Sequence, residues 1–200
     1  MADYSIVADL GNEIVKLLRS NLCPELIQNP ESILLCPPYE KGEYLLGVHL
    51  YDIQTDGYYP QNEMISVGEG AQRFPPLPVS LFYMLTVNSS TNIASKSVVE
   101  QRILSRAMQV LHDNSVFELS DLQPGAEAAD EPIALSPHFL SYEEKSRIWS
   151  NSGAGNAARL AIYYRAAPVL IDSTRVSQPV RVTKVEMKLG GKERGDGIGY

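Results

Sequence analysis

Phe74-Pro75-Pro76-Leu77-Pro78-Val79-Ser80-Leu81-Phe82-Tyr83-Met84-Leu85-Thr86-Val87 decides how this chain folds. The three prolines, Pro75, Pro76 and Pro78, hold the backbone extended. From Val79 to Val87 the residues are apolar, aromatic or β-branched with almost no polar relief, which predicts a central, buried strand. After the polar connection Asn88–Ser95, Ser97 to Asn114 reads as an amphipathic helix. Ser97-Val98-Val99-Glu100 fits a capping box, in which serine and glutamate satisfy each other's orphan amides. Val99, Ile103, Ala107, Val110 and Leu111 line one helix face, and Arg102, Arg106 and Gln109 cover part of the other. Strand plus helix fixes the centre of an α/β core and carries no catalytic chemistry.

Working outward, Asp3 to Ser20 places Ile6, Val7, Leu10, Ile14, Leu17 and Leu18 at helix spacings, with Asp3 as N-cap and Asn21 and Pro24 as the stop. Ser32 to Cys36 is a short apolar run halted by Pro37-Pro38, and Tyr44 to Ile53 reads as a strand, separated from it by the polar turn Tyr39–Glu43. Gln54 to Phe74 reads as one long polar loop, and a loop of that length in a compact domain is functional or mobile. Ser120 to Pro132 reads as a surface loop. Ile133 to Leu140 reads as an edge strand interrupted at Pro137. Ser141-Tyr142-Glu143-Glu144 is a second capping box, opening a short helix with Ile148 and Trp149. Leu160 to Ile171 is a further strand, with Ile162, Tyr164 and Ala166 on one face and an edge or bulge at Pro168. The expected division is a domain over 1–172 and an arm over 173–200. The arm has alternating apolar residues between Val176 and Leu189 and a glycine-rich end.

The chain has 200 residues, 44% hydrophobic and 20% charged, ordinary values for one soluble domain able to bury a core without staples. The formal net charge of −7 argues against nucleic acid, whose phosphates want a basic footprint. Cys23 and Cys36 do not make a disulfide framework and read as reduced apolar residues. No run is long enough to cross a bilayer, and the N-terminus does not read as a signal peptide, so the expected place of synthesis is the cytoplasm.

The search for chemistry yields little. His49, His112 and His138 have no metal-ligand spacing with Cys, Asp or Glu. Gly153-Ala154-Gly155-Asn156 lacks the lysine of a P-loop and the third glycine of a dinucleotide fingerprint. Asn88-Ser89-Ser90 matches a glycosylation pattern that secretion alone would make meaningful. Arg194-Gly195-Asp196 is one tripeptide in a glycine-rich tail. Glu143-Glu144 is explained by a helix N-terminus and Asp130-Glu131 by a solvated loop. No cofactor, no metal and no enzymatic activity are expected. The eleven tyrosines lean toward a binding or assembly role. The candidate interface residues are Arg102 and Arg106 on the outer helix face, Tyr58 and Tyr59 in the long loop, and Arg175, Val180, Val182, Val185 and Met187 in the arm.

In order and spacing these pieces resemble the cap, or tail-terminator, family of phage-tail-like contractile injection systems. The matching residues are the helix Tyr4 to Leu18, the strand Tyr44-Leu45-Leu46-Gly47-Val48-His49-Leu50-Tyr51-Asp52-Ile53 and the proline-led strand from Pro75. The helix Glu100 to Asn114, Ile148-Trp149-Ser150 and the strand Leu160-Ala161-Ile162-Tyr163-Tyr164 follow. The resemblance spans residues 3–172. It implies a fold similar to phage tail terminators, an α+β domain with a mixed, mainly antiparallel sheet flanked by helices. It also implies a structural role: a homo-oligomeric ring of six copies at the baseplate-distal end of a tube and sheath. Tube and sheath proteins would be its partners, and it would neither insert in a membrane nor use a cofactor. A connector or tube-completion protein of a phage-like particle, and an enzyme, are the alternatives left open.

Overall fold

The computed structural model describes residues 2–38, 44–57, 64–66, 70–89, 93–123, 131–151 and 159–177. In chain order the elements are α1 (Ile6–Leu22), a 3-10 turn (Pro30–Ser32), β1 (Ile33–Leu35), β2 (Leu46–Thr55), β3 (Ile65–Ser66), β4 (Gln72–Arg73) and β5 (Leu77–Val87). They continue with α2 (Ile93–Asp113), β6 (Val116–Phe117), α3 (Leu119–Leu122), β7 (Ile133–Pro137), α4 (Tyr142–Asn151), β8 (Ala161–Ile171) and β9 (Val176–Ser177).

Six strands form the main sheet in the order β1-β2-β5-β8-β7-β6. Only β1 and β2 run parallel, and the other pairs are antiparallel. The expected mixed, mainly antiparallel sheet is therefore present, with the proline-led strand β5 at its interior. Every β5 residue from Pro78 to Val87 is buried, because both of its faces are covered. Val79, Leu81, Tyr83, Leu85 and Val87 face the main core, which also contains Ile6, Leu10, Ile14 and Leu18 of α1 and Ile103, Ala107, Val110 and Leu111 of α2. Burying each such side chain contributes about 1.5–3 kcal/mol. The alternate residues Ser80, Phe82, Met84 and Thr86 project to the opposite face and are also buried. On that face α4 reaches across, with Lys145 Nζ lying 5.8 Å from the centre of the Tyr163 ring.

Two irregularities bend the sheet. Leu50 and Asp52 lie opposite the consecutive residues Tyr83 and Phe82, so Tyr51 is an extra residue in β2. Val79 and Leu81 lie opposite Val169 and Ala166, which puts one extra residue into β8 beside Pro168. A bulge at Pro168 was one of the two expected outcomes. A proline can occupy such a site because the displaced residue need not donate to the ladder.

Several boundaries differ from the sequence reading. Helix α1 begins at Ile6, and Asp3 is not its N-cap: Asp3 Oδ1 accepts from the Tyr4 N–H at 2.7 Å, while the Asp3 N–H donates to Gln123 Oε1 at 2.9 Å. Contact with α3 thus claims Asp3 before the helix can. Helix α2 begins at Ile93, so Ser97 lies inside it, and Glu100 pairs with Lys96 at 3.8 Å one turn earlier. The second capping box closes as expected: the Ser141 N–H donates to Glu144 Oε2 at 2.7 Å and the Glu144 N–H donates to Ser141 Oγ at 3.3 Å. The stretch 54–74 is not a single loop, since β3 and β4 lie within it. Their two-residue strands pair with each other and with β9 as a separate three-stranded sheet, β3-β4-β9. Strand β7 stops at Pro137 and is not outermost, because β6 pairs with its first two residues. Part of the stretch read as a surface loop, Ser120 to Leu122, belongs to α3. The turn at Tyr39–Glu43, the glycine turn at 153–156 and the tripeptide at 194–196 lie outside the described residues, as does Ser90 of the glycosylation pattern.

Candidate assembly surfaces

The face of the sheet opposite the two long helices carries the densest side-chain constellation. Tyr51 stands edge-on to Tyr163 with ring centres 5.9 Å apart, and 6.2 Å from Phe82. The His138 ring lies 4.9 Å from that of Phe82. The Tyr51 hydroxyl is buried with no hydrogen-bond partner among the described residues. Burial, and secondarily the nearness of Tyr163, Asp52 and Glu144, pushes its pKa up to about 12. Beside it a cleft of about 310 Å³ is lined by Tyr51, Asp52, Phe82, His138, Glu144 and Arg147. The Glu144 carboxylate is engaged in the capping box, and its hydrogen bonds from Ser141 hold its pKa below the ordinary carboxylate value. Among the described residues no group of three or more His, Cys, Asp or Glu side chains could hold a metal ion. The described contacts of this cluster are ring packing around Tyr51, Phe82, Tyr163 and His138 and the capping hydrogen bonds of Glu144.

Further along the same face, Arg165 Nη2 donates to Asp56 Oδ2 at 2.8 Å and to Ser80 Oγ at 2.8 Å. Asp56 follows β2, Ser80 belongs to β5 and Arg165 to β8, so one guanidinium ties three neighbouring segments together. Beneath the N-terminal half of α1 an apolar groove of about 520 Å³ runs between Tyr4, Val7, Ala8, Leu35 and Leu50.

The two ends of the main sheet differ in shape. At one end Phe139 is 93% exposed and Tyr142 is 87% exposed, just before and at the start of α4. At the other end Ile65, Pro76, Leu119, Ile133, Pro168 and Leu170 line an apolar cleft of about 220 Å³.

Arg102 is exposed on α2. Arg106 is half-buried one turn later, and its Nη1 donates to Gln109 Oε1 at 2.8 Å. Arg175 immediately precedes β9: its guanidinium lies 4.3 Å from the centre of the Phe74 ring, and its carbonyl accepts from the Phe74 N–H at 3.1 Å. Arg102 and Arg106 therefore share the outer side of α2, whereas Arg175 lies beside a different element. Tyr58, Tyr59, Val180, Val182, Val185 and Met187 lie outside the described residues. Sequence reasoning missed Phe139, Tyr142 and the cleft. The available signal was a large apolar residue, Phe139, standing outside both the β7 alternation and the α4 period.

No described helix is long and apolar enough to cross a membrane. Two structures solved by cryo-electron microscopy share the fold. One is the sheath/tube terminator, in its extended state, of the extracellular contractile injection system PVC, with a TM-score of 0.58 and 19% identity over 97% of this chain and 67% of that one. The other is the tube-terminating cap of the anti-feeding prophage, with a TM-score of 0.55 and 19% identity over 91% of this chain and 61% of that one. The chain thus spans about two thirds of the length of these proteins. No curated protein matches it. The model of the Pvc16 N-terminal domain matches residues 12–184, from within α1 to beyond β9. This chain belongs to the Pvc16 N-terminal domain family.

Proposed function

We propose that this chain is a structural terminator of a contractile injection system. The observation that carries the reading is the family match over 12–184, together with a fold shared along almost the whole chain with a sheath/tube terminator. In this reading six copies form a ring at the baseplate-distal end of the particle, bind the last tube and sheath layers and recruit no further layer. The particle is assembled in the cytoplasm of the producing cell. Stacked rings leave an unsatisfied docking surface at the last layer, and a closed ring of heterologous contacts occupies it without offering a new one. The net charge of −7 fits protein partners rather than nucleic acid. Catalysis has no part in this role, and the engaged state of Glu144 and the structural surroundings of His138 are in keeping with that.

The arm is the proposed contact to the sheath. Arg175 and β9 are tied to β4 and Phe74, which anchors the root of the segment that follows. Beyond Ser177, Val180 and Val182 alternate with Arg181, and Val185 and Met187 alternate with Glu186 after a one-residue shift at Thr183-Lys184, a pattern open to a strand that adds to a neighbour's sheet edge through main-chain hydrogen bonds. The test is to produce particles with and without the chain and image their distal ends. The reading expects uncapped tails of irregular length without it. Capped tails of unchanged length would refute it.

A further inference from the structure

We infer that Phe139 is a knob that docks in the apolar cleft at the far end of the sheet of a second copy of this chain. This rests on the ring reading above and names a contact within it. Phe139 is 93% exposed, and its neighbour Tyr142 is 87% exposed. A large aromatic side chain left in water forfeits most of the stabilisation it gains when buried. The cleft has a volume of about 220 Å³ and a mostly apolar lining that includes Ile65, Pro76, Ile133 and Leu170, with Glu131 and Asp172 as its charged members. An apolar cavity of about 150 Å³ suffices for a benzene ring, so a phenyl group fits with room for its Cβ.

Knob and cleft cannot meet within one copy. The His138 N–H donates to the Tyr163 carbonyl at 2.8 Å, which sets Phe139 beside the Thr86–Ala161 end of the β5–β8 ladder. The cleft belongs to the opposite end, where Leu77 pairs with Ile171. Nine residue steps from Leu77 to Thr86, at about 3.3 Å each, separate the two by roughly 30 Å. A convex apolar feature at one end and a concave one at the other make a head-to-tail contact, and such contacts close into rings when the rotation per copy permits. The ring buries about 150–250 Å² of side-chain surface, well below the 1,200 Å² or so of a stable interface, so Phe139 is the anchor of a broader contact.

The test uses the full chain. Wild type, Phe139→Ser and Ile65→Glu are compared by analytical ultracentrifugation across concentration, with circular dichroism to establish that each variant is folded. Each variant alone is expected to weaken self-association at least tenfold. An equimolar mixture of the two should form a one-to-one dimer, since one copy supplies an intact knob and the other an intact cleft. Placing the photoreactive analogue p-benzoylphenylalanine at position 139 should crosslink to a second copy at peptides containing Ile65, Pro76, Ile133 or Leu170. Wild type that is monomeric at every concentration, a mixture that does not dimerise, or crosslinks mapping elsewhere would overturn the inference. Capping of particles is a separate readout. Normal self-association with no capping would sink the terminator reading and leave the knob contact standing.

Discussion

Arg165 reaches across the sheet to Asp56, with 2.8 Å between Nη2 and Oδ2, and takes Ser80 of the intervening strand as a second partner at the same distance. The pair holds the far end of β2 against β5 and β8 on the face the long helices leave uncovered. The Asp56 side chain is only 11% exposed, whereas that of Arg165 is 43% exposed. Removing the cation therefore takes the Arg165 charge from a largely buried carboxylate that still accepts from Ser80 Oγ at 3.2 Å, while water screens the Arg165 side.

Arg165→Met is expected to destabilise the fold by about 1–2 kcal/mol, less than for a fully buried pair because of that screening. Adding Asp56→Asn to the same chain should recover part of the loss. Chemical denaturation of the four chains of the double-mutant cycle measures both effects.

Tyr51→Phe removes a buried hydroxyl that has no hydrogen-bond partner among the described residues. The expected change is neutral to stabilising, by up to about 1 kcal/mol at neutral pH. The folded-state pKa of Tyr51 is raised to about 12 from 10.0. The neutral ring is favoured in the folded state, so its stabilisation is complete below pH 10 and is lost as pH rises through 12. The variant should lose less stability than wild type over that alkaline interval, read from denaturation midpoints. An equal loss in both would contradict the assignment.

Much of the fold was legible in the sequence because the main sheet and its helices have strong apolar periods. The strand read at Val79–Val87, which the structure extends back to Leu77, the core face of α2 and the capping box at Ser141 follow from local pattern alone. The small sheet was not legible: Ile65–Ser66, Gln72–Arg73 and Val176–Ser177 are two-residue strands, and the pairing of the last two, Arg73 with Val176, joins segments far apart in the sequence. Ser97 misled because a capping box is a local pattern, and the residues preceding it extend the helix equally well. Phe139 left a trace in the sequence, as a large apolar residue outside the neighbouring periods, but the distant cleft could not be read there, since concavity is a property of the folded surface.

Leu10→Ala should cost about 2–5 kcal/mol. Leu10 is fully buried in α1, within the core that also contains Tyr83 and Val169. Thermal unfolding of the purified variant checks this, and a loss under 1 kcal/mol would place Leu10 outside a close-packed core.

Deleting 178–200 should leave the unfolding midpoint near that of wild type while weakening attachment to sheath in a pull-down. Deleting from Ser173 should also lower the midpoint. That cut removes β9 and the Arg175 guanidinium from the Phe74 ring. Equal midpoints for the two deletions would show that the β4–β9 pairing contributes nothing to stability.

Cryo-electron microscopy of particle ends, from cells that carry or lack this chain, weighs the terminator role most directly. Density for a ring of this fold on the final tube and sheath layers, and ragged or overlong tails without the chain, is the outcome expected. Identical, well-closed ends in both preparations would contradict it.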